Sequence, residues 1–369
     1  MSLSELKPSG KIHFLGLDGV AAETVVREWG WKPFRAKQIL EWVYRRHVDD
    51  PAKMMNLPFG DRKTLAERAV FLAGRIARQE ESRDGTRKLL IEFSGGRSVE
   101  TVMIPEEDRR TACVSSQAGC PVGCRFCASG RAGLQGNLFA GEIVEQVWLL
   151  DRDLAAGQKR LTNIVFMGMG EPLANYQEVV AAVRVLRDPR VFGLGARRIT
   201  ISTVGIPDRI RALAEEDLGI NLAVSLHAPD DRLRRELIPW AEHFSLGEVL
   251  DAAGDFFKKT GREVTLEYVL LAGVNDRPGH AAALAKTARK LRANVNLIRY
   301  NAVQGLPYRR PEAAAALGFQ EALRTAGVNV HLRRSRGPDI RAACGQLRLA
   351  ETEKRRGNFH GDSHQLPAR

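Results

Sequence analysis

A chain of 369 residues, 44% hydrophobic and 27% charged, has the composition of a soluble globular protein. It is long enough to bury a sizeable core, either as one large barrel-like domain with a small appendage or as two domains. No run approaches ~18 uninterrupted apolar residues, and the N-terminus lacks the apolar core of a secretory signal, which argues against a membrane span and points to the cytoplasm. The formal net charge of +12 directs attention to polyanions, nucleic acid first, although a basic solvated surface with no partner would carry the same excess.

Residues 11–75 read as a compact helical module. "AAETVVREW" and "KPFRAKQILEWVYRRH" place apolar residues at three- and four-residue spacing, and the second opens on Pro33, suited to a first turn. Asn56, Leu57 and Pro58 break the pattern before "DRKTLAERAVFLA". Arg35, Lys37, Arg45 and Arg46 make the module basic. A β-hairpin follows, with strands at 86–93 and 97–104 around Ser94, Gly95 and Gly96.

From about residue 110 six apolar, β-branched runs recur: "TACVSSQ", "LTNIVFMG", "RRITISTVG", "INLAVSLHA", "EVTLEYVLL" and "NVNLIRYNA". Amphipathic helical patterns such as "AGEIVEQVWLLDRDL" and "GHAAALAKTARKLRA" separate them. This alternation predicts an α/β fold with a parallel sheet covered by helices. Six units are too few for a closed eight-fold barrel and fit a partial (β/α)6 barrel or an open doubly wound sheet. The expected organisation is a helical accessory module at 1–75, a hairpin linker at 76–108, the α/β core at 109–350, and a basic, disordered tail at 351–369.

Three of the five cysteines, Cys120, Cys124 and Cys127, lie in "CPVGCRFC" with the spacing C-x3-C-x2-C, just after the first strand run. Thiolates so spaced can converge on one metal centre and leave a position open. Structural zinc favours four ligands in paired C-x2-C units, whereas a four-iron cluster on three thiolates keeps one iron free. A zinc site completed by Cys113 or a histidine, a disulfide, or three buried small hydrophobes are the alternatives. Reducing surroundings disfavour the disulfide, and the polar loop residues Gly123, Arg125 and Gly130 disfavour an apolar filling.

Polar groups recur at the later strand ends: Gly168, Gly170, Glu171 and Pro172 in "FMGMGEPLAN", then Ser202, Ser225 with His227, and Asn301. Each alone would be an ordinary structural residue. Together they suggest one ligand pocket at the carboxyl ends of the strands.

The cysteine spacing, with Phe126 before the last cysteine, resembles the signature of the radical S-adenosylmethionine superfamily. "CVSSQAGC", "GNLFAGEIVEQV", "MGMGEPLAN", "SLHAPDDRLRRELIP" and "AACGQL", with "KPFRAKQILEWVY" upstream, resemble the RlmN/Cfr family of radical S-adenosylmethionine RNA methyltransferases over about residues 12–350. The resemblance implies a partial radical S-adenosylmethionine barrel. It also implies a [4Fe-4S] cluster on Cys120, Cys124 and Cys127, with S-adenosylmethionine on the fourth iron. Gly170, Glu171, Ser202, Ser225, Leu226, His227 and Asn301 would bind that cofactor. Cys344 would carry the methyl group as S-methylcysteine, Cys113 would resolve the covalent RNA adduct through a transient Cys113–Cys344 disulfide, and Glu100 would accept the proton. Such chemistry calls for an accessible Cys113. Taken as bare residues, Cys344 stands in a loop that Gly345 and "SRGPDIR" make able to reach a barrel mouth, with an inert buried thiol as the alternative, and Glu100 would be a solvated strand carboxylate.

The implied reaction uses two molecules of S-adenosylmethionine to methylate carbon 2 of an adenosine in the peptidyl-transferase centre of 23S rRNA, and of adenosine 37 in tRNAs. The Cfr-type alternative is carbon 8 of the same rRNA nucleotide; the whole pattern, "ACGQL" included, favours carbon 2. A distant alternative is a zinc-stabilised RNA-binding protein without catalysis. The basic module, "RRPE" and "RRSR" would meet RNA phosphates, and the target base would have to leave its stack. An electron donor such as flavodoxin or ferredoxin, a cytoplasmic location and a monomeric state complete the expectation. One departure is Gly136, where the resemblance leads one to expect a basic residue.

Overall fold

The structure, a computed structural model, describes residues 10–131 and 133–347; the tail expected to be disordered, 351–369, lies outside them. The N-terminal module holds helices α1 (Gly19–Glu28), α2 (Phe34–Tyr44) and α3 (Phe59–Arg68). Asp18 starts α1 by accepting a hydrogen bond from the Ala21 N–H, and Pro33 precedes α2 with φ −55°, already set for a helix. Helix α3 stops at Arg68 because Ala69 and Val70 turn extended and pair in parallel with Ile12 and His13.

A ten-stranded sheet carries the rest. Strands β1 (Arg75–Glu81), β2 (Arg87–Glu92), β3 (Ser98–Glu106) and β4 (Arg109–Cys113) run antiparallel in succession. From β4 onward the pairing is parallel, through β5 (Asn163–Phe166), β6 (Ile199–Thr203), β7 (Asn221–Ser225), β8 (Thr265–Leu270), β9 (Asn294–Arg299) and β10 (Val330–Arg333). Every strand lies beside its neighbour in the chain, and the order runs from β10 at one edge to β1 at the other without closing. The expected partial α/β barrel is therefore present. The six runs read from the sequence become β4 to β9, and β10 adds a seventh parallel strand.

Helices α4 (Ala128–Arg131), α5 (Ala140–Ala155), α6 (Tyr176–Arg187), α7 (Pro207–Glu215), α8 (Asp231–Leu237), α9 (Leu246–Thr260), α10 (Pro278–Leu291) and α11 (Ala313–Thr325) fill the connections. Edge strand β1 is mostly exposed and studded with Arg75, Arg78, Glu80 and Glu81, which guards it against pairing with another chain.

One core runs through both the helical module and the sheet. Helix α5 is the joint between them. Its Trp148 is fully buried and donates Nε1–H to the Val43 carbonyl (2.9 Å). Glu145, 0% exposed, accepts from the N–H groups of Ala73 (2.8 Å) and Gly74 (2.9 Å), and lies 3.0 Å from His13 Nε2. A carboxylate is tolerated so deep only because donors surround it.

Register decides what faces the barrel interior, since paired residues in a sheet point to the same side. Cys113 pairs with Val102 and Val165, Ser202 with Ala223, Ser225 with Glu267, Glu267 with Asn296, and Ile298 with Arg333. Two residues along from Val102, Glu100 shares that face. The inner lining thus carries Glu100, Cys113, Ser202, Ser225, Glu267 and Arg333 from six different strands.

Candidate active site

The interior opens into a cavity of about 1060 Å³, its mouth included, at the carboxyl ends of the parallel strands. Cys120, Cys124 and Cys127 line it from one side, on the loop that follows a short ribbon of Gln117–Gly119 against Leu134–Asn137. That loop is fastened by Cys120 N–H to the Gly133 carbonyl (3.1 Å), Arg125 N–H to the Leu237 carbonyl (2.9 Å) and Ala128 N–H to the Gly345 carbonyl (2.8 Å). Across the ribbon, a side chain at Gly136 would come within 3.0 Å of Arg97 Cδ, so a neighbouring arginine fills the space where a basic residue was expected.

Burial pushes the Cys120 thiol up to about 12 and raises Cys124 and Cys127, and the thiols' mutual charges add to it. Left to themselves these groups stay protonated. Only a cationic centre among them makes three thiolates affordable, so metal uptake must release protons. Behind the loop, the buried Arg234 donates Nη2–H to the Val204 carbonyl, and its charge opposes the rise at Cys124. Among the described residues no group of three or more His, Cys, Asp or Glu is placed around a single metal ion. Thiolates of an iron–sulfur cluster bind separate irons and stand further apart than the ligands of one ion. The all-thiol donor set, facing a shared cavity, fits the cluster better than a zinc ion.

The strand-end glycines serve close packing. A Cβ at Gly168 would lie 2.7 Å from Ser115 Oγ and from the Val114 carbonyl, and Gly170, at φ +103°, would meet Gln117 at 2.7 Å. The loop after β5 therefore presses on segment 114–117, with the Glu171 N–H donating to Gln117 Oε1 (2.8 Å). The Glu171 carboxylate is buried, and accepts from the N–H groups of Leu173 (2.9 Å) and Val204 (2.8 Å). It braces two loops, and it keeps lone pairs for a further donor on the cavity side.

Ser202 and Ser225 line the same cavity, their hydroxyls 3.3 Å apart. His227 lines it too, in a left-handed conformation (φ 57°), with Nδ1 accepting from the Val269 N–H (3.1 Å) and Phe126 edge-on at 5.1 Å. Leu226 is buried off the cavity; its N–H donates to the Glu267 carbonyl (3.0 Å) and its carbonyl accepts from Ala228 (2.8 Å). Asn301 also stands back from the lining. Its Nδ2 donates to the Cys344 carbonyl (3.3 Å), while Oδ1 accepts from Arg310 (2.9 Å) and Ser335 (2.7 Å). It thereby anchors the loop that bears Cys344.

Burial, followed by the charge of Arg234, drives the His227 imidazole down to about 3, so it is neutral across the physiological range. The folded value lies below the unfolded one of about 6.5, so this contribution to stability is complete above that pH and is lost as pH falls toward 3. In the metal-free protein, wild type is expected to lose about 2 kcal/mol between pH 7.5 and pH 5 relative to His227→Asn. Urea midpoints at the two pH values measure this. A difference that does not change with pH would show that His227 titrates normally.

Cys344 is exposed and lines the cavity, between the buried Ala343 and Leu347. Its loop meets the cysteine loop, where the Ala128 N–H donates to the Gly345 carbonyl, and Cys344 adds to the rise of the Cys127 and Cys113 thiols. Cys113 itself is 7% exposed, and burial followed by Cys344 pushes its thiol up to about 12. The access expected for it is closed in this conformation, because it ends an inner-facing strand beneath the Cys344 loop. Glu100 is buried, not solvated, and lies 3.1 Å from Lys88 Nζ.

Three charges at the site escaped the sequence reading. Arg333 stood in "RRSR", read as a phosphate contact, and Arg234 in "SLHAPDDRLRRELIP", where nothing marked it as buried. Glu267 stood in "VTLEYVLL", where a carboxylate inside an apolar strand was a usable signal.

Over residues 114–285 the chain matches the Radical SAM superfamily, and over residues 12–71 the ribosomal RNA large subunit methyltransferase N-terminal domain. It is 45% identical over 345 residues to a protein of Rhodopirellula baltica named "Probable dual-specificity RNA methyltransferase RlmN", spanning 94% of this chain and 93% of that one. A protein of the same name in Thermotoga maritima is 43% identical over 334 residues, spanning 90% and 96%. The crystal structure of a radical SAM methyltransferase from Sphaerobacter thermophilus matches with a TM-score of 0.88 at 43% identity, over 90% of this chain and 98% of that one.

Proposed function

This chain belongs to the RlmN family of radical S-adenosylmethionine RNA methyltransferases, and we propose that it methylates carbon 2 of adenosine, in the peptidyl-transferase centre of 23S rRNA and at position 37 of tRNAs. The observation that carries the catalytic part of this reading is the position of Cys344, exposed on the wall of the same cavity that Cys120, Cys124 and Cys127 line.

Cys120, Cys124 and Cys127 hold the [4Fe-4S] cluster, and Gly170, Glu171, Ser202, Ser225 and His227 shape the adjoining S-adenosylmethionine site, with Leu226 and Asn301 supporting it from behind. Bound there, the cluster and its ligand supply one-electron cleavage of a sulfonium to a 5′-deoxyadenosyl radical. Cys344 Sγ takes a methyl group by displacement from a first S-adenosylmethionine, and so brings to the base a carbon that is already bonded to sulfur. The S-methyl group on Cys344 gives up a hydrogen atom to the 5′-deoxyadenosyl radical, and the resulting carbon radical bonds to carbon 2. Glu100 then accepts the carbon 2 proton as the adduct gives one electron back to the oxidised cluster, which restores the aromatic ring. The Cys113 thiolate then bonds to the Cys344 sulfur, the sulfur–carbon bond breaks with its electron pair going to carbon, and that carbon takes up a proton and leaves with the RNA as the methyl group. Reduction of the disulfide resets the pair.

Residues 1–75 form the RNA-binding accessory module, joined through 76–108 to the catalytic core. Lys37 is exposed there for phosphates, whereas Arg35 and Arg46 are engaged with Asp61 and Glu41. No helix of the described residues is long and apolar enough to cross a membrane. We assign the protein to the cytoplasm as a monomer, served by a flavodoxin- or ferredoxin-type electron donor.

The decisive experiment digests RNA treated with reconstituted protein and identifies the modified nucleoside. We expect 2-methyladenosine. 8-Methyladenosine would move the enzyme to the Cfr-type reaction, and zinc-loaded protein that never cleaves S-adenosylmethionine would leave only an RNA-binding role.

A further inference from the structure

Glu267 on β8 is 3% exposed, yet it lines the cavity. Its Oε1 accepts from Asn296 Nδ2 (2.8 Å), but Oε2 has no hydrogen-bond partner. The nearest cation, Arg333 Nη1 on β10, stands 3.7 Å from that oxygen, beyond hydrogen-bond range. A buried carboxylate oxygen without a hydrogen-bond donor is costly, and the Arg333 charge relieves it only in part. Arg333 lines the same cavity and is close enough to Cys113 and Cys344 for their charges to act on it. The Glu267–Arg333 pair therefore sits where a base must lie if Cys344 is to deliver carbon to it and Cys113 is to release it.

We infer that Glu267 and Arg333 read the target adenine as a pair, the free Glu267 oxygen accepting from the exocyclic 6-amino group and the Arg333 guanidinium donating to the adjacent ring nitrogen. This rests on the carrier and resolving roles proposed for the two cysteines. A carboxylate beside a guanidinium matches a donor beside an acceptor, which is the edge adenine presents. Guanine and hypoxanthine place a carbonyl at carbon 6, so two acceptors would face each other across a buried contact. That rejects them as strongly as the amino group attracts adenine.

The test uses tRNA anticodon stem-loops carrying adenosine or purine riboside, which lacks the amino group, at position 37. Each competes with a labelled adenosine stem-loop for the reconstituted holoenzyme. On wild type, purine riboside is expected to bind roughly 10- to 100-fold more weakly. Glu267→Gln should weaken the adenosine RNA by a similar factor and leave the purine riboside RNA unchanged. Equal binding of both RNAs by wild type overturns the inference, and this arm needs no variant to fold. It is equally overturned if Glu267→Gln weakens both RNAs alike, or if it weakens S-adenosylmethionine binding and leaves the RNA ratio intact. Competition requires no turnover, so the outcome stands apart from which carbon receives the methyl group.

Discussion

Cys113→Ala is expected to leave the protein covalently joined to its RNA. In the proposed sequence Cys344 becomes bonded through the transferred carbon to the base, and only attack by the Cys113 sulfur on the Cys344 sulfur breaks that link. Without it, each molecule stops after one adduct, and multiple turnover falls on the order of 10⁴-fold. On a denaturing gel the variant should migrate as an RNA-shifted band that nuclease removes. The double variant Cys113→Ala with Cys344→Ala should give no band, since no sulfur then carries the carbon. Repeated turnover by Cys113→Ala would remove Cys113 from the mechanism. The burial of Cys113 adds a condition. Its thiol, raised to about 12 with Arg333 opposing the rise, must lose its proton and meet Cys344. The Cys344 loop is tied down by Asn301 Nδ2 to the Cys344 carbonyl at 3.3 Å and by the Ala128 N–H to the Gly345 carbonyl at 2.8 Å, contacts that any movement of this loop toward Cys113 must release.

Cys124→Ala should abolish the cluster and with it every catalytic step. Two remaining thiols cannot hold three irons, and the neighbouring Arg234 would face an emptied, apolar pocket without its anionic partner. Iron and sulfide content after anaerobic reconstitution, the brown colour, and 5′-deoxyadenosine release should all fall to background, a loss of more than about 10³-fold. RNA binding through the N-terminal module should persist, because it lies on separate elements. Full iron content in this variant would reassign the cluster ligands. The wild-type protein reconstituted in parallel decides the zinc alternative, since zinc bound in place of iron would be colourless.

How much of this was legible in the sequence varies with the distance over which the information acts. The C-x3-C-x2-C spacing is local, and the loop needed only its own residues to announce a thiol cluster. The apolar runs that became β4 to β9 are equally local, because a strand buried on both faces must be apolar throughout. β10 is four residues long and alternates polar with apolar side chains, too little pattern to stand out. Glu171 was recognised as a site residue, but its bracing bonds to Leu173 and Val204 follow from a turn and a neighbouring strand end that no spacing encodes.

The sequence by itself determined the architecture class, the cysteine loop and the family, because each rests on residue types at fixed separations along the chain. Only the tertiary structure decided that Cys113 is covered, that Asn301 holds the Cys344 loop, and that Glu267 and Arg333 meet inside the barrel. Those facts depend on parallel strands brought side by side by intervening helices, with register choosing the inward face. That choice is made by packing the whole sheet at once, so no single stretch of sequence contains it.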